Sequence, residues 1–409
     1  MAILLNNTQL QPQPLTGGEP VAVRIGLSVS KGPHFDVDCV LEWFKPGTEL
    51  PVLSHHLRGS GLDISWLPDA DYEIAWSASA LDLEPGAHHL VISLYHAHGP
   101  NTELAHRETL PVSIEQGTAH GQPQANGLAR PGHWEIRTLN GGAPVDQLSW
   151  RRGHEDWFYR HFDHAARTII SYMLGDSPLL QGRILDVGCG DGITDLGVFY
   201  RCQPKQLIGI DPFKGYERLP QVCADNHLPL SGLPDGLQFL PASGNDIPFE
   251  DNSFDVVLSW GSLEHIAGGY MDTLKEIRRV LKNGGLLFAH PGLYYSNFGH
   301  HLGEFCDEPF FHLTKTHQEL EQLVLNTQPN YMDRAGEFST PAQYWQWYNE
   351  LNPMTVAGFE SELKELGFEF YRAALRTEDM IEYHHPKLQN YAMQDLATVE
   401  LYLSAYNRK

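Results

Sequence analysis

Between Arg183 and Gly192 the chain reads Arg-Ile-Leu-Asp-Val-Gly-Cys-Gly-Asp-Gly. An apolar run ends in an acid, three glycines follow at alternate positions, and Ile193 to Tyr200 has the pattern of a helix. That order predicts a buried parallel strand turning sharply into a helix, with glycines where a ligand touches backbone. Dinucleotide-binding turns use G-x-G-x-x-G and face a pyrophosphate with the helix N-terminus. Here the order is G-x-G-x-G with Asp191 inside the loop. A carboxylate there repels a diphosphate but suits a cationic ligand.

Further strands follow in register. Gln206-Leu207-Ile208-Gly209-Ile210-Asp211 is a second apolar run ending in an acid, placed where a carboxylate accepts ribose hydroxyls. Then come Leu237–Leu240, the loop Ser243-Gly244-Asn245-Asp246-Ile247-Pro248-Phe249, the strand Ser253-Phe254-Asp255-Val256-Val257-Leu258-Ser259-Trp260, and Leu263-Glu264-His265. In this order the segments resemble the class I S-adenosylmethionine (SAM)-dependent methyltransferases. The resemblance implies an α/β fold, a seven-stranded Rossmann-like sheet with its last strand antiparallel. It further implies SAM as donor and S-adenosylhomocysteine as product. Asp186 and the turn Gly188, Cys189, Gly190 would hold the methionine part, Asp211 and Pro212 the ribose, Ser243 and Gly244 the adenine edge. Ser259 and Trp260 would flank the donor below the acceptor. One departure stands out: the family's adenine-binding Asp is replaced by Ser243, a weaker, uncharged acceptor, and Asp246 is the alternative. NAD-type binding and a ligand-free structural turn are the competing readings of the loop.

The sequence holds 409 residues, with 28 basic against 51 acidic, a net charge of −23, and no dense Lys/Arg run. Such a field disfavours nucleic acid and anionic membranes, so the expected partner is a small-molecule or carbohydrate acceptor, with self-association left open. Cys39, Cys189, Cys202, Cys223 and Cys306 are scattered and form no C-x-x-C pair, which argues against zinc and for a reducing compartment. Met1 to Gln13 is polar, without a signal-peptide core, so a cytoplasmic location is expected.

Before about residue 117 the pattern changes to period two. Val21, Val23, Ile25, Leu27 and Val29 alternate with polar or small residues, as do Leu90, Ile92 and Leu94, and Gly/Pro turns separate the runs. This predicts an all-β sandwich over 1–117 as an accessory domain. The turn Leu83-Glu84-Pro85-Gly86-Ala87-His88 is similar to one in bacterial immunoglobulin-like domains. A linker and lead-in over 118–150 and a methyltransferase domain over 151–409 complete the division. Apolar residues recurring every three or four positions from Trp157 to Leu174 predict a helix that opens the second domain.

Residues 291–365 form a long insertion, the expected lid and acceptor pocket. It carries Tyr294-Tyr295-Ser296, His300, His301, His312 and the aromatic cluster around Trp345 and Trp347. Its opening string is similar to methyltransferases of bacterial glycan and natural-product assembly. A hydroxyl acceptor needs a base, and histidine serves at neutral pH. His265, His301 and His300 are the catalytic candidates, with His290 and His312 behind them and Glu264 or Glu304 as orienting acids. A metal is not expected, because no compact ligand spacing appears. The expected activity is O-methylation of a sugar or secondary metabolite. Transfer to nitrogen or carbon, and a non-catalytic scaffold, are the alternatives.

Overall fold

The structure, a computed structural model, describes residues 2–30, 34–60, 64–67, 69–81, 83–98, 101–117, 132–140, 157–226, 228, 230, 232–329, 339–378 and 381–409. It divides into two compact units, Met1–Arg160 and His161–Lys409.

The first unit is all-β. One sheet orders Ala2–Gln11, Val21–Ser30, Ala70–Ala78 and His133–Asn140 as antiparallel neighbours. The other orders Leu15–Thr16, Asn101–Glu115, Gly86–His98, His34–Phe44 and Leu53–His56, with Ile64–Leu67 also paired to His34–Phe44. Val21, Val23, Ile25, Leu27 and Val29 are all buried, as are Leu90, Ile92 and Leu94, so the period-two pattern marks the covered faces. His55 of one sheet lies 4.3 Å, ring to ring, from Trp76 of the other. His133–Asn140, inside the span read as linker and lead-in, is a strand that sets Trp134 opposite Trp76. The rest of that span, 118–131 and 141–150, lies outside the described residues.

The second unit is built on a seven-stranded sheet. Numbered within this unit, its strands are β1 (Arg183–Val187), β2 (Gln206–Ile210), β3 (Leu237–Leu240), β4 (Phe254–Trp260), β5 (Leu281–His290), β6 (Phe368–Thr377) and β7 (Thr398–Asn407). They lie in the order β3-β2-β1-β4-β5-β7-β6. The first five run parallel, and β7 is antiparallel to both β5 and β6. The antiparallel last strand matches the expectation. Central strands read as unbroken apolar runs because both faces are covered. Leu185, Val187, Ile208, Ile210, Val257 and Leu287 share one core.

Two local details differ from the sequence reading. The strand expected from Leu286 starts at Leu281, and Asn283-Gly284-Gly285 lies inside it. Gly284 takes φ +78°, and the register with β4 shifts between Phe254 and Val256, so the glycines form a bulge. The stripe Phe162, Ala165, Ala166, Ile169, Ile170 and Met173 is buried as expected. Its backbone, however, winds with the wider five-residue repeat over Arg160–Ala165 and Thr168–Met173. Helix α1 (Ile193–Cys202) abuts this stripe closely, since a Cβ on Gly197 would stand 1.9 Å from the Phe162 carbonyl oxygen.

After α2 (Leu219–Asp225) and α3 (Met271–Val280), the insertion adds α4 (His317–Asn326), α5 (Pro341–Glu350) and α6 (Val356–Glu365). Thr316 and Thr340 close capping boxes with Glu319 and Gln343, which fixes where α4 and α5 begin. Leu302, Phe305, Phe311, Leu320, Val324 and Tyr344 give the insertion a core of its own. Among the described residues no helix is long and apolar enough to cross a membrane.

Candidate active site

The turn after β1 is held from both sides. The amides of Gly188 and Cys189 donate to the Ile210 carbonyl at 2.8 and 3.1 Å, tying the turn to the end of β2. Gly190 N donates to Asp211 Oδ2 at 3.2 Å, and Phe213 N donates to Asp211 Oδ1 at 2.7 Å. The carboxylate of Asp211 is thereby aimed by two backbone amides.

Two glycines in the turn are needed for different reasons. Gly188, at φ +81°, has Ser262 where its Cβ would stand, 2.3 Å away. Gly190, at φ +54°, has nothing within 4 Å of that position, so its face is open. A hollow at the carboxyl ends of parallel strands, beside the point where strand order reverses, is where such sheets bind ligands.

Beneath the turn, Asp186 and Asp195 are both buried. Burial pushes the Asp186 carboxyl up to about 7, with a hydrogen bond from Asp195 opposing the rise and the charge of Asp211 adding to it; burial first, then the charge of Asp186, raises Asp195 well above the carboxylate range. Asp186 Oδ1 has no hydrogen-bond partner among the described residues. A buried acid with an idle oxygen suits a cationic group. Asp195 was missed in the sequence; its only signal is an acid on the apolar side of α1.

The other expected donor contacts divide. Cys189 contributes backbone only, since its side chain packs where a Cβ of Gly209 would be, 2.9 Å from its sulfur. Pro212 is exposed at the bend, and the neighbouring Phe213, unremarked in the sequence, is 86% exposed beside Asp211. Gly244 is buried against Thr273 and Val187, whereas Ser243 is exposed and its hydroxyl accepts from Asn245 N at 3.2 Å. Ser259 is fully buried, its hydroxyl 2.7 Å from Ser262 Oγ, which in turn donates to the Val187 carbonyl at 2.8 Å. The Ser259 hydroxyl thus helps to brace the turn. Trp260 is half-buried among Phe288, His290 and Tyr402.

The histidines divide as well. His300 has both ring nitrogens engaged: Nε2 bonds the Asn297 carbonyl at 2.9 Å and Nδ1 accepts from Leu302 N at 3.1 Å. With both nitrogens used and burial pushing its pKa to about 4, it holds the loop rather than a substrate proton. His312 bonds the Tyr294 carbonyl, and His290 bonds the Leu401 carbonyl while stacking on Tyr402. Burial lowers the pKa of both. Glu304 accepts from the Tyr344 hydroxyl inside the insertion core. His265 and His301, in contrast, are brought together with ring centroids 4.7 Å apart. Their Nε2 atoms lie 4.0 and 3.9 Å from Glu264 Oε1. The corner carrying Glu264 directly follows Ser262, which braces the turn, and is bolted to the insertion by Asn352. Its backbone N donates to Glu264 O, and its side chain donates to Leu263 O and Ile266 O.

Residues 185–289 match the family model described as a methyltransferase domain. This stretch is similar in sequence to methyltransferase domains. Among proteins of similar sequence are an uncharacterized methyltransferase of Schizosaccharomyces pombe, 28% identical over 35% of this chain and 51% of that protein, and the tRNA U34 carboxymethyltransferase of Cellvibrio japonicus, 35% identical over 34% of this chain and 42% of that one. The chain thus spans about half or less of the length of these relatives. Among solved structures, geranyl diphosphate methyltransferase in complex with GPP and sinefungin aligns at a TM-score of 0.34 and 11% identity, over 55% of this chain and 71% of that one.

These relatives correct the expected partners. Several are named for tRNA, so neither the exclusion of nucleic acid nor the restriction to a small-molecule or carbohydrate acceptor stands. The physical reason is that the net charge of −23 is summed over the whole chain. A bound polyanion meets only the local surface, which that sum does not describe.

Proposed function

We propose that the protein transfers the methyl group of SAM to an acceptor hydroxyl at the mouth between the β1 turn and the Glu264–His265–His301 corner. The observation that carries this reading is the open face of Gly190 beside the aimed carboxylate of Asp211. Asp186 and the backbone of the turn would hold the donor's methionine part, Asp211 its ribose, and Gly244 with Ser243 or Asp246 its adenine edge. Trp260 would border the donor. SAM supplies an already activated methyl group. What remains for this chain is to align the acceptor, exclude water and manage one proton. The insertion, 291–365, is the element that would close over the acceptor. His265 and His301, partly exposed at the mouth and within reach of the buried Glu264, are the groups that would handle that proton. The all-β region we read as an immunoglobulin-like sandwich serving as an accessory domain over 1–117, with the catalytic domain over 151–409. A reducing, cytoplasmic setting fits five cysteines that are all free.

The test is release of S-adenosylhomocysteine on incubation with hydroxyl-bearing acceptors, transfer RNA included. With an active acceptor, His265→Ala and His301→Ala should each lower turnover roughly 10²–10⁴-fold while donor affinity is kept. Full turnover in both variants would remove the assignment of the corner.

A further inference from the structure

Glu264, His265 and His301 come from two separate segments, and their ligand-bearing atoms all lie within 4.8 Å of one another. The Glu264 side chain is only 3% exposed, and its Oε2 has no hydrogen-bond partner among the described residues. The carboxylate is not free to turn away to solvent, because Gly292 abuts it so closely that a Cβ there would stand 2.6 Å from Oε1. His301 reaches the cluster from a left-handed backbone, φ +51°, a conformation a non-glycine residue holds only when its surroundings impose it.

The spacing is too long for hydrogen bonds and close to that around a shared ion. Separations of 3.9 and 4.0 Å between a carboxylate oxygen and two imidazole nitrogens exceed hydrogen-bond length. Bonds of about 2.0–2.2 Å to a tetrahedral ion set ligand atoms about 3.4 Å apart, so the three side chains would draw in by roughly half an ångström to share one. A buried carboxylate oxygen without a donor is also the kind of group that a cation stabilises.

We propose that Glu264, His265 and His301 form a binding site for one divalent transition-metal ion. Two imidazoles and one carboxylate suit zinc, cobalt, nickel or iron(II) over magnesium or calcium, which prefer all-oxygen sites. Three protein ligands leave coordination positions open, and the half-exposed histidines place them at the mouth. On the function proposed above, with the mouth as the acceptor site, the acceptor oxygen takes an open position. The ion then makes its hydroxyl more acidic, and the proton passes to solvent. The two imidazoles then act on that proton through the ion they hold, as its ligands, rather than by taking it directly. Sequence spacing could not reveal the site, because Glu264 and His301 are brought together only by the fold.

The test titrates the metal-stripped full-length protein with zinc, and separately with cobalt(II), by calorimetry and by visible absorption for cobalt. One ion per chain should bind, and Glu264→Gln, His265→Ala and His301→Ala should each weaken it at least tenfold. The conservative pair His301→Asn and Glu264→Asp guards against misfolding, and retained SAM binding shows each variant to be folded. Uptake scattered over the other histidines, or affinity unchanged in variants that still bind SAM, would overturn the proposal. Metal binding as expected in a protein that binds no SAM would leave the site standing and remove the methyl-transfer reading instead.

Discussion

Gly190 and Gly188 share a left-handed backbone and a sequence context, yet the space beside them differs. Alanine at Gly188 would drive its Cβ into Ser262, so that variant should lose stability, by about 1–3 kcal/mol from overpacking alone. Alanine at Gly190 meets open space, so its effect should fall on donor affinity beyond the common cost of a positive φ. Chemical denaturation and SAM titration of the two variants check this division. Asp186 and Asp195 make a second prediction. Their folded-state pKa values are raised above the usual carboxylate value of 3.8, so the folded form prefers them protonated. Stability contributed by that preference is full below about pH 4 and is lost as pH rises toward and beyond 7. Asp195→Asn removes one proton-dependent partner. Its melting temperature relative to the native protein should therefore climb between pH 5 and pH 8, and a constant gap would refute the coupling. The acid of β1 was legible because strand and turn are contiguous in sequence. Asp195 was not, since nothing local tells a buried acid from one on a solvated helix face.

At the scale of elements, the parallel strands were legible because burial on both sides leaves a contiguous apolar run. The strand ends were less so: the bulge at Gly284 absorbs residues that read as a helix stop. His133–Asn140 was hidden within a span rich in turn-forming residues, and only its pairing with Ala70–Ala78 makes it a strand. The histidine corner depends on two segments meeting, and Asn352 of the insertion fastens the first of them, Leu263–Ile266, with two side-chain hydrogen bonds of 3.0 and 2.9 Å. Asn352→Ala should cost about 1–3 kcal/mol, because two side-chain hydrogen bonds are lost while the Leu263 and Ile266 carbonyls keep only their backbone donors, Ile266 N and Gly269 N. Turnover should fall with it while SAM affinity is retained, as calorimetry on the folded variant would show. Equal loss of donor affinity would mean that the corner and the β1 turn are one cooperative element.

For the molecule as a whole, a domain that binds SAM only when folded must be stabilised by it. At a SAM concentration of a hundred times Kd the gain is about 2.7 kcal/mol. Scanning calorimetry should show that gain in the transition of His161–Lys409. What the sequence misjudged at this scale was the partner, because composition sums charges that the fold distributes over separate surfaces. The central claim, that the turn after Val187 and the acid after Ile210 together hold SAM, is tested most directly by titrating SAM into the native protein and into Asp211→Ala. One site per chain is expected, weakened roughly 10- to 100-fold in the variant by the loss of charge-assisted hydrogen bonds. A native protein that takes up no SAM, or a folded variant that binds it with undiminished affinity, would contradict the account.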